Sequence, residues 1–192
     1  MASRYQTLSK GNELLEILRP QLSTWQRARV KFVVLFVLAV IKVGLHSLTE
    51  LAGAFDNKAQ VSSVLRRIRR FLLDFGVDHS LVARLIVSLM DLGAEPWILS
   101  LDRTEWKFGK KSINFLVLSI AYKGIAIPVL WAVWNKQGNS DFRIRIVLLQ
   151  RFIQLFGRDR IKALVADREF VGNDWFNYLS DYQIPYYMRI SG

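Results

Sequence analysis

The residues best suited to chemistry are two aspartates, Asp102 and Asp167. Each closes an apolar run of strand character, Trp97-Ile98-Leu99-Ser100-Leu101 in one case and Ile161-Lys162-Ala163-Leu164-Val165-Ala166 in the other. Each is followed directly by arginine. A carboxylate at the mouth of a buried strand has a rigid base and an exposed head. Two of them on neighbouring strands offer hard oxygen donors to a divalent cation such as Mg2+ or Mn2+. Two cations about 3.5–4 Å apart can activate the attacking oxygen and stabilise the leaving one at a phosphodiester. A single strand-end aspartate more often caps a turn, so the reading rests on the pair. Arg103 and Arg168 are suited to contact phosphate or to screen the carboxylates. Glu105 and Glu169 lie two residues beyond each aspartate, and Glu169 reads as a brace for the next helix rather than a metal ligand.

Positioning these groups requires a sheet, and the second half of the chain predicts one. A short strand over 97–103 comes first. Ile113 to Tyr122 is a nearly continuous apolar run, as in the middle of a sheet. Lys123-Gly124 signals a turn, and Ile125 to Trp134 is the next strand. Pro128 cannot donate to a ladder, so that strand is expected at an edge. Residues 135–140 read as a loop. Ser140 or Asp141 can cap a helix that buries Ile144, Val147, Leu148, Phe152 and Leu155 and ends at Gly157. The strand 161–166 delivers Asp167, a helix covers 172–181, and a last strand runs from Pro185 to Ile190. An antiparallel meander followed by helical crossovers is the layout of a ribonuclease-H-like α/β fold, with a mixed sheet and flanking helices. In it the first strand and the strand after the first helix lie side by side, which brings Asp102 and Asp167 together.

The first 95 residues read as helical. Leu14, Leu15, Ile17 and Leu18 suggest a short helix ended by Pro20. Residues 27–44 form a helix too short to span a bilayer, since its apolar core Phe32–Ile41 is about half of the roughly 20 residues needed. No membrane partner is therefore expected. Ser47 with Glu50 three positions on is a capping-box pattern. Asp56-Asn57-Lys58 makes a turn, and Val61, Val64, Leu65, Ile68, Phe71 and Leu72 recur at helical spacing through a longer helix. A further helix is expected over 79–92. The pattern changes at Gly93-Ala94-Glu95-Pro96, which sets expected domains of 1–95 and 96–192.

Helix, short turn and amphipathic helix over residues 47–72 is the spacing of a helix-turn-helix. Arg66, Arg67, Arg69 and Arg70 oppose the apolar stripe and suit phosphates, while Lys58, Gln60, Ser62 and Ser63 near the helix start suit bases. A solvated arginine face on a helical bundle gives the same pattern. Charge bears on the choice. The chain carries 27 basic and 16 acidic residues, a net charge of +11, so polyanions are the natural partners. Residues 1–95 hold 13 basic and 8 acidic side chains and residues 96–192 hold 14 and 8, so this is no basic tail. Trp106 with Lys107, Lys110 and Lys111 forms a second basic segment suited to nucleic acid. There is no cysteine and there are only two histidines, which excludes disulfides and thiolate sites and disfavours a zinc site. Gly109-Lys110-Lys111-Ser112 lacks the upstream glycine of a phosphate loop.

Leu101-Asp102-Arg103-Thr104 with Trp106-Lys107 and Gly109-Lys110, then Gly124 to Pro128, Gly138-Asn139-Ser140-Asp141, and Ala166-Asp167-Arg168-Glu169-Phe170 closely resemble bacterial insertion-sequence DDE transposases. The branch is the one whose third motif carries Tyr, Arg, Glu and Lys. The resemblance covers most of residues 95–192. It implies a catalytic domain that holds two Mg2+ or Mn2+ ions on Asp, Asp and Glu, cleaves DNA at the ends of the mobile element, and joins the free 3′ hydroxyl to target DNA. Asp102 matches the first acid and Asp167 the second. A helical N-terminal region, double-stranded DNA as partner, pairing as a homodimer in a DNA complex, and a bacterial cytoplasmic, nucleoid-associated location follow from the same resemblance. The third motif belongs after a further stretch, so the expected chain is a fragment, the first frame of a split gene, or a decayed copy. By itself it is expected to bind DNA and metal without transposing. Two rivals stand beside this. One is a DNA-binding regulator that inhibits transposition without catalysis. The other is an unrelated ribonuclease-H-like nuclease, with Asp141 or Glu169 as its third carboxylate.

Overall fold

Side chains alternate along a strand. In β1, Trp97–Phe108, alternation sends Trp97, Leu99 and Leu101 into a core and leaves Asp102 and Thr104 exposed on the other face. A computed structural model describes residues 2–44, 47–109, 111–134 and 142–189. The chain divides into two compact units, 1–78 and 79–192.

In the second unit, β2 (Lys111–Tyr122) and β3 (Ile125–Trp134) complete an antiparallel meander with β1. Lys123 and Gly124 both adopt positive φ, 48° and 83°, as a two-residue hairpin turn requires. β4 (Ile161–Ala166) then joins β1 in parallel, and β5 (Tyr186–Met188) joins β4 in parallel. The sheet order is β3-β2-β1-β4-β5. Three antiparallel strands extended by parallel strands beside the first make the fold ribonuclease-H-like, an α/β arrangement with a helical N-terminal part. β3 lies at an edge, as Pro128 demands, and the ladder shifts register beside it between Leu118 and Ser119.

The hairpin of β1 and β2 is longer than its apolar runs. Pairing continues to Phe108 opposite Lys111, so the basic segment beyond the expected strand 97–103 is the outer end of a ladder. Gly109, at φ 59°, turns it. Cross-strand pairing overrides polarity here, because Glu105 faces Asn114 and Lys107 faces Ser112.

Helix α5 (His79–Met90) belongs to the sheet unit, since Ala83 is fully buried in its core. The compact units therefore part at 78/79 rather than at the composition change near 95/96. α6 (Phe142–Phe156) and α7 (Asn173–Asp181) cover the same face of the sheet, where Leu148, Leu149, Phe152, Trp175 and Leu179 meet Leu99, Leu116, Leu118, Ile120, Leu130 and Leu164. Each such side chain contributes about 1.5–3 kcal/mol on burial. Val147, expected inside, is 64% exposed, and Arg145 takes a buried place on α6 instead. The proposed caps Ser140 and Asp141, the Gly138-Asn139 motif and Ile190 lie outside the described residues.

The first unit is helical. α1 runs Ala2–Gln21 and contains Pro20 near its end, so the helix is longer than expected and the proline is tolerated in its last turn. α2 spans Arg27–Val43 and stops at Gly44, φ 71°. It is buried on two opposite flanks, Val30 and Val34 on one and Phe32 and Ala39 on the other. Among the described residues no single helix is long and apolar enough to cross a membrane. α3 (Leu48–Ala54) starts where expected, with Ser47 Oγ accepting the Glu50 N–H at 3.1 Å. α4 (Val61–Asp74) follows a six-residue connection, in which Asn57 Oδ1 accepts the Ala59 N–H at 2.9 Å. Phe32, Leu51, Ala52, Phe55, Val64 and Ile68 form this unit's core. Val61 and Leu72, read as part of the buried stripe, are 46% and 52% exposed.

Candidate metal centre and nucleic-acid faces

Register decides where the aspartates stand. β1 and β4 run parallel with Leu101 opposite Ala166. Asp102 and Asp167 are the next residue on each strand, so they emerge side by side, with strands about 5 Å apart. Both are exposed. Each carboxylate makes the same local contact, Oδ1 accepting the N–H of the following arginine at 2.8 Å. That bond fixes the rotamer and leaves oxygen lone pairs for other partners.

The pair opens onto a cleft of about 580 Å³ on the sheet face opposite the helices. Val117, Ser119, Pro128 and Arg189 also line it. Hard oxygen donors on rigid strand ends, open to solvent, fit Mg2+ or Mn2+, which keep several waters and usually take only one or two protein carboxylates. Among the described residues no cluster of three or more acidic or histidine side chains exists. Among the described residues, Asp102 and Asp167 are the carboxylates that line this cleft. Asp141 lies outside the described residues, and Glu169 is committed elsewhere.

That commitment separates the two arginines that follow the aspartates. Arg103 is turned by strand alternation to the helix-covered face. Its Nε lies 2.9 Å and its Nη2 2.9 Å from Glu169 Oε2, and its Nη1 donates to Asn114 Oδ1 at 3.0 Å. The hydrogen bond to Glu169 raises the Arg103 pKa from its ordinary value despite partial burial. Arg103 therefore ties β1 to the turn after β4, and its fork is not free for phosphate. Arg168 is exposed on the turn of residues Arg168–Phe170, with its side chain available.

Arg145, unmarked in the sequence reading, supports that turn from below. It is 5% exposed, lies 4.9 Å over the Phe170 ring, and donates to the carbonyls of Phe170 at 3.0 Å and Glu169 at 3.3 Å. A signal for it was present. Arg145, Leu148, Leu149 and Phe152 share the 3–4 spacing of a buried stripe, and an arginine on that stripe must find buried acceptors.

Of the second basic segment, Lys107 is exposed, and Trp106 is 54% exposed with its ring 5.0 Å from Phe115. Lys110 lies outside the described residues, and Lys111 begins β2. On the first unit, Lys58, Gln60, Ser62, Ser63, Arg66, Arg67, Arg69 and Arg70 are all exposed. Arg67 differs from the others in lying 4.7 Å over the Phe32 ring.

No protein-family model and no curated protein matches the chain. Among solved structures it is similar to the HTLV-2 integrase catalytic core domain in complex with magnesium. Against the dimeric form the TM-score is 0.37 at 19% identity, over 50% of this chain and 63% of that one. Against the trimeric form it is 0.38 at 19% identity, over 50% and 62%. The simian T-cell lymphotropic virus intasome in complex with PP2A regulatory subunit B56 gamma gives 0.39 at 14% identity, over 75% and 52%. The chain spans less than two thirds of each of these proteins, and likeness at these TM-scores carries no weight beside the strand order of the sheet itself.

Proposed function

We propose that this chain is a bacterial insertion-sequence DDE transposase or a portion of one. It binds double-stranded DNA of the element ends through α4 and presents Asp102 and Asp167 as two ligands of a Mg2+ or Mn2+ centre. The observation that carries the reading is the β1–β4 register, which sets two carboxylates side by side over an open cleft. Supporting it are the ribonuclease-H-like strand order and the net charge of +11.

A divalent cation held there supplies charge neutralisation at a phosphodiester and activation of the attacking oxygen. The chain's own residues do the rest. Asp102 and Asp167 hold the cation from fixed strand ends. Arg168 and Lys107 offer exposed cations to the DNA backbone. Arg103, Glu169 and Arg145 hold the two strand ends in register from the opposite face. Strand cleavage and transfer require a third carboxylate beside the pair. The second reading, for this chain acting alone, is DNA occupancy without cleavage, as in an inhibitor of transposition.

Mn2+ titration followed by electron paramagnetic resonance tests the centre. Weak binding to the wild-type chain, lost in both Asp102→Asn and Asp167→Asn, is the expected result. Mn2+ binding that neither substitution alters would remove the metal centre, and with it the transposase reading. Duplex binding should survive Asp102→Asn unchanged if occupancy is the chain's own activity.

A further inference from the structure

The basic residues of the first unit do not all lie on the outer face of α4. α2 and α4 enclose a groove of about 300 Å³ lined by Arg29, Phe32, Arg67, Arg70, Phe71, Asp74 and Phe75. Its aromatic floor is continuous. Phe32 lies 4.8 Å from Phe71, and Phe71 stacks on Phe75 at 4.9 Å. Two of the guanidiniums rest on that floor, Arg67 at 4.7 Å over Phe32 and Arg29 at 4.9 Å over Phe75.

Stacking changes what an arginine can do. A guanidinium laid on a ring is held in one plane, and its N–H donors point outward from its edge. The entropy that a free arginine loses on binding has then been lost already. Three guanidiniums face one carboxylate, Asp74, around the groove. Among the described residues none of the three is in an ion pair. The three guanidiniums leave an excess of positive charge over Asp74, and their planar fork matches two oxygens of a phosphate.

We propose that the groove between α2 and α4 is a phosphate-binding site that takes one phosphodiester of duplex DNA on the edges of Arg29, Arg67 and Arg70. The site is distinct from the outer face of α4, where Ser62, Arg66 and Arg69 lie. It anchors the strand beside that helix and carries no base information, because phosphate contacts fix register and not sequence. Naming DNA as the source of the phosphate rests on the DNA-binding reading above. The groove itself is read from its arginines.

The test uses the whole chain and fluorescence anisotropy with a labelled duplex, across a salt series, for wild type, Arg29→Gln, Arg70→Gln, Arg70→Lys and Arg66→Gln. Arg70 is exposed and not ring-stacked, so its variants should fold, which circular dichroism checks. The proposal expects Arg29→Gln and Arg70→Gln each to weaken binding several-fold and to flatten the salt slope by up to about 0.9, the contribution of the one phosphate they share, on duplexes of any sequence. Arg70→Lys should restore the slope but not the full affinity. If Arg66→Gln weakens binding while both groove glutamines leave affinity and slope at wild-type values, the groove proposal is overturned and DNA binding by α4 stands. If the wild-type chain shows no salt-dependent binding to duplex, both fall together.

Discussion

The two units carry similar excess charge and use their arginines in opposite ways. In residues 1–78 the arginines of α2 and α4 face solvent, two of them resting on aromatic rings, and none is ion-paired among the described residues. In residues 79–192 several arginines are structural. Arg103 pairs with Glu169, and Arg145 is buried beneath the turn after Asp167. Arg158 donates to the carbonyls of Tyr182 and Gln183, and Arg160 donates to the carbonyl of Ala94 at 2.6 Å and lies over Trp97. A count of basic residues therefore says little about how many can meet a polyanion. An arginine whose donors are spent on protein carbonyls brings charge to the field but few contacts to a ligand.

The contrast breaks most sharply on α4. Replacing Arg66, Arg67, Arg69 and Arg70 by Gln together should lower duplex affinity by about 10²–10³-fold at 0.1 M salt, from up to three lost phosphate contacts, since Arg67 and Arg70 share one. The urea midpoint should stay near wild type. A large loss of stability in place of a loss of affinity would show that these arginines also belong to the fold.

Arg145→Ala should do the reverse. It removes a buried cation and leaves the Phe170 carbonyl without its donor, for a loss of about 2–4 kcal/mol in urea unfolding. Affinity for DNA, measured well below the unfolding midpoint, should change little. Arg145→Lys should recover only part of the stability, because one ammonium cannot both bridge two carbonyls in a fixed fork and stack on Phe170.

A smaller effect is expected at the Arg103–Glu169 pair, which is half-buried. A double-mutant cycle with Arg103→Ala and Glu169→Ala should give a coupling of about 1 kcal/mol. A coupling near zero would mean that the two strand ends are held by the ladder alone. Ser47→Ala, which removes one capping bond from a seven-residue helix, should cost about 1 kcal/mol or less and leave the sheet unit's unfolding unaltered.

Much of this was legible in residue order. The capping pair Ser47 and Glu50, the glycine stops at Gly44 and Gly157, the hairpin at Lys123-Gly124 and the edge placement of β3 all follow from local backbone chemistry. So does the order of strands and helices in the second half, because apolar runs and amphipathic spacing report directly which face each segment must bury. The two aspartates could be singled out as strand-end carboxylates for the same reason. The outer half of the β1–β2 hairpin was not legible, since its residues are polar and only pairing with the partner strand makes them extended. Nor was the place of α5, whose own amphipathic pattern cannot say which of two cores receives Ala83.

The sequence by itself determined the elements, their order and the presence of two carboxylates at strand mouths, because these depend on side chains within a few residues of one another. Tertiary structure alone decided the rest. It set Leu101 opposite Ala166 and so brought Asp102 beside Asp167, and it turned Arg103 away from the cleft while leaving Arg168 exposed. It also drew Arg29 and Arg70 to one groove from helices that begin more than thirty residues apart. These are pairings across long loops, fixed by strand register and core packing, and nothing local in the chain encodes them.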